Sequence, residues 1–218
     1  MKLLVYACLR AVAHAQSAIR RAMQAQTASV TNIFMPLKSY SMREASETAR
    51  IGTEHVEAYL RSRRSTVHVD NVEDKLEYRN KDVDLVWTRQ IGSASKRVLI
   101  EVKVDTYHRT GNYFFETLSN VEKGTPGCFL YSEADYFFYY FLGVEIHTLR
   151  LAPVRAWFLE EISKFPTKRT TTPVGGSFYH TEGRLVRRSD VIAALPDDVV
   201  VIPYSDSWLH IASGNARE

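Results

Sequence analysis

The sequence predicts a mixed α/β fold, a central mixed β-sheet flanked by helices. Three observations carry this. Helix-forming residues at helical spacing dominate the first 64 or so positions. From Thr66 onward, short β-branched and aromatic runs bounded by turn residues replace them. A single helical stretch, Pro153–Ile162, then follows several strand-like runs. A chain of 218 residues with 45% hydrophobic and 24% charged content suits one domain with elaborations.

Taken in order, Leu3 to about Gln26 is rich in Ala, Leu, Arg and Gln and reads as a helix. Thr27–Pro36 breaks it. Ser41, with Glu44 three residues on, has the pattern of a capping box, and the helix it opens runs to about Arg64. Thr66–Val69, Leu76–Tyr78 and Val83–Trp87 read as strands. Gly92–Ser95 is a turn, and Val98–Val104 is the clearest strand in the chain. Thr110–Asn112 is another turn, followed by a strand at Tyr113–Leu118 and a loop at Gly124–Gly127. The six adjacent aromatics Tyr136–Phe141 read as a buried strand, with a helix equally compatible with their lack of periodicity, rather than as a stacking platform. Val144–Leu149 is strand-like. The chain from Lys164 reads as loop-rich, with a short strand at Val199–Ile202. Three segments result: an N-terminal helical extension (1–40), a core (41–163), and a C-terminal extension or small subdomain (164–218).

A formal net charge of +3 is too small to argue for a polyanionic partner by itself. Its distribution says more. Basic clusters at Arg20–Arg21, at Arg61, Arg63 and Arg64, at Lys164, Lys168 and Arg169, and at Arg184, Arg187 and Arg188 flank an acidic centre. Such flanks suit a chain that holds a polyanion around a metal, and solvated surface explains any one cluster equally well. Two cysteines, Cys8 and Cys128, make neither a disulfide framework nor a metal-ligand spacing, which points to a reducing, cytoplasmic setting. No apolar run approaches the roughly 18–20 residues of a membrane span. The N-terminal segment has a weak likeness to a signal peptide, but Arg10 interrupts its apolar stretch, and helix is the preferred reading. His55, His147 and His180 are scattered, so no zinc site is expected.

The chemistry centres on one hairpin. With a turn between Gly92 and Ser93, residues whose numbers sum to 185 face each other: Asp84 opposes Glu101, and Asp82 opposes Lys103. Alternation places these four on one face, with Val83, Leu85, Ile100 and Val102 on the other. Three carboxylates crowded together are destabilising unless a cation joins them. Mg²⁺ takes oxygen ligands of this kind. It would polarise a phosphoryl group while a neighbouring lysine positions water and offsets developing charge. From spacing alone, an exposed sheet with a Glu–Lys salt bridge explains the same residues.

Asp84, sixteen residues, then Glu101-Val102-Lys103 within VLIEVKV resembles the signature of the PD-(D/E)XK nuclease superfamily. Val83 stands where the family name has Pro. The likeness spans roughly residues 45–160 and implies a restriction-endonuclease-like core, with Mg²⁺ (Mn²⁺ substituting) as cofactor and DNA as substrate. Asp84 and Glu101 would be metal ligands, Lys103 the water-positioning group, and Glu54 a supporting acid, with Glu57 its rival for that place. Further candidates are Glu116, in the strand-like segment after Lys103, and His108 as a general acid. Arg61, Arg63, Arg64, Lys168 and Arg169 are the candidate DNA contacts. The expected activity is metal-dependent hydrolysis of DNA, endonucleolytic in preference, and a homodimer is natural if both strands are cut. The competing reading is a nucleic-acid-binding or assembly protein that keeps the fold without the chemistry. An unrelated small-molecule enzyme has little support, because Gly-rich phosphate loops and nucleophile elbows are missing.

Overall fold

The computed structural model describes residues 42–174 and 177–212. The helix read at Leu3–Gln26, the break after it, Ser41 and residues 175–176 lie outside these residues.

Helix α1 (Met42–Arg61) is amphipathic. It buries Val56, Ala58 and Leu60 against the sheet, while Glu47, Arg50 and Glu54 form ion pairs on its exposed side. Gly52 lies where α1 crosses β3 (Ala94–Asp105). A Cβ there would come within 2.2 Å of Val104 Cγ2, so the close approach requires glycine. β1 (Thr66–Asn71) pairs antiparallel with β2 (Leu85–Ile91), which pairs antiparallel with β3. The β2–β3 register runs from Leu85↔Ile100 to Ile91↔Ala94, which is the sum of 185 with Gly92–Ser93 as the turn.

Leu76–Tyr78, expected as a strand, is instead part of a short helix, α2 (Leu76–Arg79). Its backbone N–H groups are satisfied locally, with Tyr78 and Arg79 both donating to the Lys75 carbonyl, and Leu76 faces solvent. β-Propensity loses here because no strand lies alongside to pair with it.

β4 (Asn112–Asn120) follows a 3₁₀ turn at His108–Thr110. β5 (Thr125–Pro126) is a two-residue bridge to β4, and α3 (Cys128–Tyr131) leads into β6 (Tyr136–Phe141). β6 runs parallel to β3, so the β4–α3 segment is the crossover connection. β7 (Glu145–Arg150) pairs antiparallel with β6 and feeds α4 (Leu151–Glu161), whose first turn holds Pro153.

The chain after Lys164 is not loop-rich. It forms β8 (Thr167–Val174), β9 (Ser177–Arg187), α5 (Arg188–Ala194), β10 (Val199–Pro203) and α6 (Ser207–Ala212). Its Thr, Gly and Pro content resembles loop composition, but tertiary pairing decides the outcome: β9 joins β4, and β10 joins β7. The result is a six-stranded mixed sheet, β1-β2-β3-β6-β7-β10, and a four-stranded sheet, β5-β4-β9-β8.

The aromatic run of β6 is buried on both faces, which is why it shows no alternation. Phe138 and Tyr140 pack with Leu85, Ile100, Val102 and the α1 side chains Val56 and Leu60. Phe137, Tyr139 and Phe141 pack on the opposite face with Tyr113 and Phe115 of β4, Phe129 of α3 and Phe158 of α4. The six-stranded sheet is thus covered by α1 on one face and by β4, β9, α3 and α4 on the other. No helix among the described residues is long and apolar enough to cross a membrane.

Candidate active site

The ladder between β2 and β3 ends at Leu85, and what happens one residue earlier builds the site. Asp84 N–H still donates to the Ile100 carbonyl at 2.9 Å, and its own carbonyl accepts from Val72 N–H at 2.8 Å. Its carboxylate Oδ2 then accepts from Val102 N–H at 2.8 Å, taking the place of a strand partner. This holds Asp84 opposite Glu101. Before Asp84 the chain leaves the sheet: Asp82 has φ of 54°, a left-handed conformation that Asp tolerates better than most residues.

That turn corrects one expectation. Val83 does not share a face with Leu85, Ile100 and Val102; it packs in the opposite cluster with Val86 and Phe137. Alternation holds only while the backbone is extended, and Asp82 breaks it. Asp82 is fixed by the α3–β6 connection, with Ser132 Oγ donating to its carbonyl at 2.8 Å and Tyr131 Oη donating to Oδ1 at 3.1 Å.

Three acids therefore meet on the face of β3 that looks toward β4. Glu101 is only 7% exposed, and its Oε2 has no hydrogen-bond partner; Asp82 Oδ2 is likewise buried and unpaired. Lys103, two residues along the same face, lies 3.7 Å from Glu116 of β4, with side chains 31% and 13% exposed. Glu116 thus joins the cluster through Lys103. Gly127, just before α3, packs directly on Glu116, where a Cβ would lie 2.5 Å from the Glu116 backbone.

Burial pushes the Asp84 carboxyl up to about 6, helped by the charge of Asp82 and opposed by the Val102 N–H. Glu101 is driven well above the usual carboxylate range by burial and then by Asp84 and Asp82. Asp82 is raised by burial as well. Burial acts against the Lys103 ammonium, but the anionic groups around it, among them Glu116, Glu101 and Asp105, hold its pKa above the ordinary lysine value. Each acid thus holds a proton more tightly than it would in water, while the lysine is held in its charged form. A divalent cation would replace those protons, and orphaned carboxylate oxygens beside a fixed ammonium fit such an ion.

No family model, curated protein or solved structure matches the chain.

Several expected residues stand elsewhere. Glu54 is 55% exposed and pairs with Arg50 on α1, the helix that covers the opposite face from Glu101. Glu57 pairs with Arg61, whose guanidinium also donates to the Val69 carbonyl at 3.0 Å. Both positions follow from the stripe that α1 buries: Val56 and Leu60 face the sheet, so Glu54 turns outward and Glu57 lies half-buried at the edge of the stripe. Arg63 lies over the Tyr59 ring, Arg64 and Lys168 are exposed, and Arg169 pairs with Glu182 at 2.7 Å.

His108 belongs to a second polar cluster. Glu145 Oε1 accepts from Arg188 at 2.6 Å and from His147 Nε2 at 2.8 Å, and lies 3.2 Å from His108 Nε2. Tyr113 Oη, 2.6 Å from His147 Nδ1, completes a consistent set with the proton of His147 on Nε2. Because Arg188, His147 and His108 all converge on Glu145 Oε1, the cluster is an internal ion-pair network.

Cys128, Tyr131 and Gly127 escaped the sequence reading. All three reach the acids through the tertiary approach of α3, which no local spacing encodes. Asp82, Glu101 and Cys128 each offer a ligand atom within 4.8 Å of the other two, and burial raises the Cys128 thiol well above its usual range.

Proposed function

We propose that the chain is a metal-dependent nuclease that hydrolyses DNA phosphodiester bonds, acting inside the cell and endonucleolytically. The observation that carries this reading is the buried acid cluster beside Lys103, with two carboxylate oxygens that no group among the described residues satisfies. The resemblance of Asp84 and Glu101-Val102-Lys103 to the PD-(D/E)XK signature supports it.

Asp84 and Glu101 would hold Mg²⁺ or Mn²⁺, with Asp82 in the position of an additional acid. Such an ion supplies polarisation of the phosphoryl group and a lowered pKa for water. The chain's own groups supply the rest. Lys103 keeps its proton and directs the N–H donors of an ammonium at a scissile phosphate, where they offset charge that grows during the reaction. Glu116, at 3.7 Å, restrains the lysine chain so that the ammonium points into the cluster. The Val102 N–H holds Asp84 in one rotamer. Lys103, more exposed than Glu101, marks the side from which the polyanion arrives. Basic residues that leave their charge to solvent, such as Arg64 and Lys168, would contact the backbone of DNA.

The test is cleavage of labelled single-stranded, duplex and branched DNA in Mg²⁺, Mn²⁺ or EDTA, with wild type beside Glu101→Ala. The expected result is cutting that needs the metal and is lost in the variant. Salt-dependent DNA binding by both proteins, with no cutting of any substrate, would instead identify a binding protein on this fold.

A further inference from the structure

The acid cluster contains a sulfur. Cys128 opens α3 directly after Gly127, the residue whose missing side chain lets this segment press against Glu116. Its Sγ lies in the same 4.8 Å group as one oxygen of Asp82 and one of Glu101. Among the described residues, those two carboxylates are also the ones that each carry a buried oxygen with no hydrogen-bond partner. Glu101 is 7% exposed, so water cannot readily relieve it. Burying an acceptor without a partner is costly, and both residues that do so here belong to a group that also holds a thiol outside any disulfide.

The donor set differs from what a hard cation prefers. Mg²⁺ takes oxygen ligands, whereas a thiolate selects softer ions such as Zn²⁺ or Cd²⁺. We propose that Asp82, Glu101 and Cys128 form a mixed oxygen–sulfur site for a thiophilic divalent cation, adjoining the Asp84–Glu101 position and sharing Glu101 with it. This rests on the reading of the cluster as a metal centre and adds a sulfur ligand to it. Binding forms a metal–sulfur bond and releases the thiol proton to solvent, with no change of oxidation state. Because Glu101 is shared, Zn²⁺ at this site competes with Mg²⁺ for the same carboxylate, and the enzyme is expected to respond to Zn²⁺ as an inhibitor.

The experiment uses the full chain in a Cys8→Ser background, so that Cys128 is its only thiol. The protein is titrated with Cd²⁺ and, separately, with Mn²⁺, and is compared with Cys128→Ser and Glu101→Gln variants made in that background. The expected result is a thiolate-to-Cd²⁺ charge-transfer absorption that saturates with one ion and is absent in Cys128→Ser. Cd²⁺ affinity should fall at least about tenfold in that variant, while Mn²⁺ affinity changes by less than about threefold. The absorption is read on the chain that retains Cys128, so it does not depend on the folding of a variant. Cd²⁺ binding that is lost in Glu101→Gln, gives no charge-transfer absorption and is unchanged in Cys128→Ser would overturn the sulfur ligand and leave the metal centre standing. Failure of the chain to bind either ion would overturn both.

Discussion

Asp84 and Glu101 have pKa values raised by burial, and the sign of that shift makes a stability prediction. Each acid binds its proton more tightly folded than unfolded. The stability this contributes is complete below the unfolded value of about 4. It is lost as pH rises through about 6 for Asp84, and as pH rises through the raised value of Glu101. In EDTA, Glu101→Gln should therefore be more stable than wild type at pH 8 by about 1–3 kcal/mol, with the gap closing toward pH 4. Urea unfolding at several pH values reads this directly, and a gap that widens on acidification would contradict it. The second cluster behaves in the opposite sense, because Glu145 neutralises Arg188 beside two histidines. Glu145→Gln leaves that guanidinium half-paired and should cost about 2 kcal/mol or more, seen as a lowered melting temperature.

At the level of elements, the β2–β3 hairpin is legible because three local signals agree: alternation in both strands, a Gly-Ser turn, and Glu101 and Lys103 two residues apart on one face. Asp84, Glu101 and Lys103 could be placed together for that reason. Val83 was misplaced because a single left-handed residue, Asp82, ends the alternation, and residue type alone does not announce such a break. Leu76–Tyr78 shows the same limit from another side, since three residues of strand-like composition became a helical turn where no neighbouring strand was available. Glu54 and Glu57 could not be separated from a site by sequence alone, because the direction of the α1 stripe depends on which sheet face it covers. Gly52 tests that packing. Alanine there gains up to about 1 kcal/mol of helix propensity but forces a Cβ against Val104, an overpacking cost of about 1–3 kcal/mol. The second effect should win, and Gly52→Ala should unfold at lower denaturant; a stabilised variant would show that α1 can shift away from β3 freely.

Across the whole molecule, the C-terminal quarter is the part that sequence reasoning undervalued. Val186 and Val191 are fully buried, and Val199 nearly so, in the same cluster as Phe137 and Phe158. β9 is the main partner of β4, and β10 is the outer neighbour of β7. A fragment ending at Ser163 would expose the Tyr113–Phe115 strand and the β7 edge together. It should be aggregated or unfolded, as judged by gel filtration and circular dichroism, whereas an autonomous extension could be removed without that effect. The same architecture holds the clustered acids in place: a six-stranded sheet holds them from one side, and β4 with α3 closes over them from the other. The measurement that bears most directly on this account is single-turnover cleavage of the preferred DNA substrate in Mg²⁺ by wild type, Asp84→Asn and Lys103→Ala, with DNA binding measured alongside. The account predicts a loss of about a hundredfold or more in each variant with binding retained. Full metal-dependent cleavage by both variants would contradict it.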